Sequence, residues 1–90
     1  MPAEKESVSR RLKDIREKVM GLNQAQFAKL AGVSQAFVSA WENAKDRAVP
    51  SSDAYLRLAN EAPYPDSLWL REQAGENMKR LTSDIHRFLT

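Results

Sequence analysis

The chain has 90 residues, enough for one small domain around a single core. Hydrophobic residues make up 42% and charged residues 29%, an ordinary globular mix. The absence of cysteine excludes disulfides and thiolate metal sites, and the single histidine, His86, argues against a histidine-built metal site. No apolar run approaches the roughly 20 residues of a membrane span. Residues Met1 to Ser7 lack the hydrophobic core of a signal peptide, so the protein is expected in the cytoplasm. The net charge of +2 is unevenly placed: Val8 to Ala62 holds nine Lys/Arg against six Asp/Glu, whereas Pro63 to Thr90 is balanced. An excess of this size is weak evidence for nucleic acid when taken alone.

In chain order, residues 1–7 read as a disordered arm. Glu4 and Glu6 stand against Lys5 there, which suits phosphate poorly. A first helix is predicted from Val8 to Val19, because Val8, Leu12, Ile15 and Val19 are spaced 4, 3 and 4 apart. Arg10, Arg11, Lys13 and Lys18 fall mostly off that stripe and read as a solvated face. Asn23 and Ser34 then stand where they can cap two short helices, with Gly32 at the corner between them. Phe27, Leu30 and Ala31 on the first of these, and Val38 and Trp41 on the second, form stripes that can share a core.

The second short helix leaves Gln35, Ala36, Phe37, Ser39 and Ala40 facing outward. A face meant only for water usually carries Lys and Glu; one that fits into a groove and reads base edges wants Gln, Ser and Ala. A loop from Asn43 to Ser52 follows. A fourth helix starts at Ser51 or Ser52 and ends near Ala62, with Asp53 favourable at its positive end and Tyr55, Leu58 and Ala59 inward. Pro63-Tyr64-Pro65 forms a rigid connector. Asp66 or Ser67 caps a fifth helix, Leu68 to Ala74, closed by Gly75. Residues 76–90 carry a separate amphipathic stripe of Met78, Leu81, Ile85 and Phe88/Leu89. That stripe either folds back on the domain or pairs with a second copy.

Ala28, Gly32, Val33, Ser34, Val38, Ser39, Trp41 and Glu42 fall into the pattern A-x-x-x-G-V-S-x-x-x-V-S-x-W-E. From about Leu12 to Gly75 the chain resembles the Xre-like (Cro and phage-repressor type) helix-turn-helix family. The resemblance implies an all-α, five-helix lambda-repressor-like DNA-binding domain over residues 8–75, here with an additional C-terminal amphipathic helix over residues 76–90. In that family the second helix of the pair enters the major groove while the first crosses the backbone. Leu68-Trp69-Leu70 resembles the W-L that completes the family's core.

Site roles follow from the match. Repressors of this family carry Gln at both helix starts, matched here by Gln24 and Gln35. Gln24 is assigned to a DNA phosphate, and Gln35 to a base edge, since one amide donor and one acceptor match adenine N6 and N7. Ala36 and Ala40 can pack on thymine methyls, and Ser39 can pair with several bases. Phe37 would lie against sugar or a thymine methyl, or lean on the preceding helix. Asn43, Lys45 and Arg47 would face phosphates. Where the family usually has Gly this chain has Ala44, so Asn43 itself is expected to take positive φ. Arg16 and Glu42 match a structural pair that ties the first helix to the recognition helix, and Val38 and Trp41 are core.

The expected function is sequence-specific transcription regulation, most simply repression at an operator. The expected partners are double-stranded DNA and a second copy of the chain, and no cofactor is implied. Enzymatic activity is not expected: Ser83, Asp84 and His86 have the residue types of a hydrolase triad but lie on one short helix and cannot converge. An alternative is an antitoxin or another protein-interaction regulator whose C-terminal helix binds a partner. A third reading is the DNA-binding fragment of a longer repressor.

Overall fold

The computed structural model describes the backbone of residues 2–89 and the side chains of residues 4–80. Five α-helices and one π-helical turn make up the described chain, with no strand: α1 (Pro2–Asp14), the π turn (Ile15–Val19), α2 (Gln24–Ala31), α3 (Gln35–Glu42), α4 (Ser52–Glu61) and α5 (Asp66–Leu89). Their apolar stripes meet in one core, where Trp41, Tyr55, Phe27, Leu12, Ile15, Leu58 and Leu70 are the largest fully buried side chains.

Helix α1 departs from expectation at both ends. Residues 1–7 were expected to be a disordered arm, yet the helix begins at Pro2. Proline suits a helix start and Glu4 lies in the first, positive turn. Further along, Lys5 and Ser9 anchor this extension to the rest of the molecule. At the other end the apolar stripe breaks. The Met20 N–H donates to Ile15 O at 2.9 Å, five residues back, so the last turn holds an extra residue. Val19 is thereby turned out and is 41% exposed, while Met20 packs against the core in its place.

Helices α2 and α3 form the corner that the sequence implies. Asn23 caps α2: its side chain accepts from Gln26 N at 2.8 Å, and the Gln26 side chain accepts from Asn23 N at 2.9 Å. Gly32 ends α2 with φ +75. A Cβ there would strain the backbone and stand 3.4 Å from Arg57 Cδ on α4. At the start of α4, Ser51 accepts from Ala54 N at 3.1 Å.

Helix α5 corrects a boundary. Gly75 was expected to close a short fifth helix, but it lies inside one continuous helix of 24 residues. Its φ is not positive, so nothing about its backbone demands a stop. The helix is tied on both sides of Gly75 to α4 and the residue ahead of its cap, because Ser52 Oγ donates to Ala74 O at 3.2 Å and the Asn77 side chain donates through Nδ2 to Pro50 O at 3.0 Å. The helix starts at Asp66, which bonds Arg11 at 3.2 Å and does not cap; Ser67 is buried, and the Tyr64–Pro65 peptide is cis. Leu70 is fully buried, Leu68 is exposed, and Trp69 sits between them. Trp69 meets Tyr55 edge-on at 6.3 Å, with the Arg11 guanidinium 5.0 Å above its ring. The side chains of Leu81, Ile85, Phe88 and Leu89, and those of Ser83, Asp84 and His86, lie outside the described residues.

The two glycines should respond oppositely to a methyl group. Gly32→Ala is expected to destabilise the protein by about 1–2 kcal/mol, because it forces an L residue into the left-handed region. Gly75→Ala, with open space around the added Cβ, should stabilise by up to about 1 kcal/mol through helix propensity. Urea denaturation of both variants checks the pair; equal signs would refute this account of the two turns.

Candidate nucleic-acid interface

Helix α3 has only eight residues, about two turns, and is too short to be stable alone. Its inner stripe, Val38 and Trp41, is buried against the core. Its outer surface exposes Gln35, Ala36, Phe37 and Ser39, with Ala40 half-buried. Phe37 is 55% exposed.

The end of α3 is locked to the π turn that follows α1 by a two-pronged ion pair. Arg16 Nε donates to Glu42 Oε2 at 2.6 Å and Arg16 Nη2 donates to Glu42 Oε1 at 2.8 Å. The two side chains are only 8% and 6% exposed. Arg16 Nη1 also donates to Leu22 O at 3.0 Å, which ties in the connection ahead of α2. The hydrogen bonds to Glu42 raise the Arg16 pKa above its ordinary value, against the opposing effect of burial. The guanidinium therefore stays charged wherever the fold exists.

Glu42 also organises the two glutamines. Gln24 Nε2 donates to Glu42 Oε1 at 3.1 Å, and Gln35 Nε2 donates to Gln24 Oε1 over a long 3.4 Å. A carboxylate can only accept, so Gln24 must turn its amide nitrogen to Glu42 and its carbonyl to Gln35. Gln35 must then give one N–H to Gln24. Its other N–H and its carbonyl oxygen have no partner among the described residues. The buried ion pair thus sets the polarity of the first exposed amide of α3 through two hydrogen bonds.

Two cap expectations are corrected. Ser34 stands at the N-cap of α3 with extended backbone, but its hydroxyl makes no capping bond; the Phe37 N–H is met instead by Ser34 O at 3.1 Å. Asn43 does not take positive φ, and no residue other than glycine does among those described. It is extended at φ −94, and its side-chain oxygen accepts from Lys45 N at 3.0 Å, closing an Asx turn that makes a left-handed residue unnecessary. A second such turn follows, with Asp46 Oδ1 accepting from Ala48 N at 2.8 Å. The loop is therefore wired locally, and it presents Lys45 and Arg47 exposed, with no side-chain partner among the described residues.

Two further polar side chains, Lys5 and Ser9 on α1, continue the face that Arg16 occupies in the π turn, and neither is singled out by the sequence. Ser9 Oγ donates to Trp41 O at 2.6 Å from a buried position. Lys5 Nζ donates to Ala40 O at 3.2 Å, Asn43 O at 2.8 Å and Asp46 O at 2.7 Å. Burial lowers the Lys5 pKa from its ordinary value, with Asp46 opposing. Lys5, Ser9, Leu12 and Arg16 are spaced 4, 3 and 4 apart, a helical face like the apolar one beside it. That periodicity was the available signal, masked because three of its four members are polar.

The paired helices, the glycine corner and the exposed slender face of α3 define a helix-turn-helix module. The profile of the helix-turn-helix family matches residues 12–65, and the chain belongs to that family, of the Xre, Cro and phage-repressor type. The family consists of DNA-binding regulators, so the protein is a regulator of this general kind with DNA as a partner. No curated protein and no solved structure matches the chain. No described helix is long and apolar enough to cross a membrane.

Breaking the buried pair should be costly. Arg16→Ala or Glu42→Ala is expected to lose about 3–5 kcal/mol of stability, because the remaining charge is stranded. The double variant Arg16→Ala/Glu42→Ala should lose less than the sum of the two singles. Chemical denaturation of the four proteins tests this; additive losses would mean that the two residues act independently.

Proposed function

We infer that the protein is a sequence-specific transcriptional repressor that occupies an operator with α3 in the major groove. Gln35, Ala36, Ser39 and Ala40 read base edges. Gln24, Phe37, Asn43, Lys45 and Arg47 hold the sugar–phosphate backbone. The observation that carries this reading is the division of labour around α3. Its outward face has no charge, while the loop that leaves it carries two cations, Lys45 and Arg47, without a side-chain partner among the described residues. Uncharged amides and methyls suit base edges, and cations suit phosphates. The free N–H and carbonyl of Gln35 fit N7 and N6 of adenine.

The protein acts as a homodimer in this reading, so that two α3 helices reach half-sites about one DNA turn, ~34 Å, apart. Support comes from the sequence of the α5 extension, where Met78, Leu81, Ile85 and Phe88 repeat at 3, 4 and 3 on a helix that continues to Leu89. Selecting sites from a random DNA pool tests it: a palindromic motif with one-turn spacing is expected, and a single unrepeated half-site would refute the dimer.

Gln35→Ala should cost about 1–3 kcal/mol on the selected site and little on random DNA. An equal loss on both would remove its base-reading role. Lys45→Ala should weaken binding to every sequence and lower the salt slope by about one ion; an unchanged slope would count against phosphate contact.

A further inference from the structure

Helix α3 carries no basic residue in its last turn. The partial negative charge on its final carbonyls thus finds no cation within the helix. The cation comes from Lys5, near the start of α1. An ammonium has three donors, and all three are used on Ala40 O, Asn43 O and Asp46 O. These oxygens span the last turn of α3 and the first turn of the loop. The loop's other side-chain bonds are short-range, from Asn43 to Lys45 N and from Asp46 to Ala48 N. Lys5 is the only side chain from another helix that bonds to residues 43–48 among the described residues.

We propose that Lys5 is a positioning residue for DNA binding: its ammonium ties the loop to α1 and so holds Lys45 and Arg47 where phosphates fall. The N-terminal turn then serves DNA through the loop and does not lie on the duplex itself. This inference rests on the phosphate role given to Lys45 and Arg47 above.

Two measurements on the full chain test it. The first needs no DNA. In Lys5→Met, amide hydrogen exchange at Lys45, Asp46 and Ala48 should quicken by about tenfold or more, since bonds to a charged donor are lost. Exchange in α4 should stay as in the wild type, and Lys5→Arg should restore protection. Unchanged loop exchange in Lys5→Met overturns the inference. Should Lys5→Met fail to fold, Lys5→Gln, too short to bridge three carbonyls, takes its place.

The second measurement is the salt dependence of binding to the selected DNA site. Lys5→Met should lower the slope by up to about two ions, as should Lys45→Ala/Arg47→Ala, and the triple variant should lose no more than that double variant. A further loss of about one ion in the triple variant means that Lys5 touches phosphate directly, which also overturns the inference. If the wild type binds no duplex, the repressor reading fails and the positioning role falls with it. Intact binding with unchanged loop exchange refutes the positioning role alone.

Discussion

The contact between Arg16 and Glu42 is the constraint on which the arrangement of the site depends. Two charges are withdrawn from water there, and that is tolerated only because each is satisfied by the other in a planar two-bond geometry. The guanidinium also donates to the Leu22 carbonyl, so a single side chain gathers the π turn after α1, the connection into α2 and the end of α3. The geometry admits few alternatives. A lysine could supply the charge but not the fork. The π turn from Ile15 to Val19 belongs to the same constraint, since it changes the register of α1 where the arginine points inward.

The rest of the site follows from how α3 is anchored. Its inner face is apolar and buried, its end is held by Arg16, Ser9 and Lys5, and its outer face is left without charged groups. Positive charge is kept to the loop. This separation suits the base-reading role proposed for the face, because a charged side chain in the middle of it would bind any phosphate within reach. The relay from Glu42 through Gln24 to Gln35 adds orientation: the amide at the first position of α3 is turned by a buried charge before any ligand arrives.

Much of this was legible in the sequence, for identifiable reasons. The corner was readable because Asn23, Gly32 and the spacing of Phe27, Val38 and Trp41 each report a local rule with little competition. The Arg16–Glu42 pair was reachable only through the resemblance, since their separation along the chain is invisible to periodicity. The N-terminal turn was misread because its anchoring bonds run to carbonyl oxygens some 35 to 41 residues away, and backbone acceptors leave no trace in sequence. The stop at Gly75 was misread for the opposite reason. A strong local signal was overridden by tertiary contacts, with Ala74 buried and Asn77 fastened to Pro50. At Asn43 two local solutions competed, and the side-chain turn to Lys45 replaced the left-handed residue. The DNA-contact roles of individual residues are a different kind of inference, resting on chemistry and resemblance.

The brevity of α3 has a consequence for how the protein responds to heat. Eight residues cannot hold a helical surface by themselves, so the outer face of α3 is lost when the core unfolds. Warming through the midpoint would remove that face and the core in one step, and any duplex that binds the folded chain alone would move the midpoint upward.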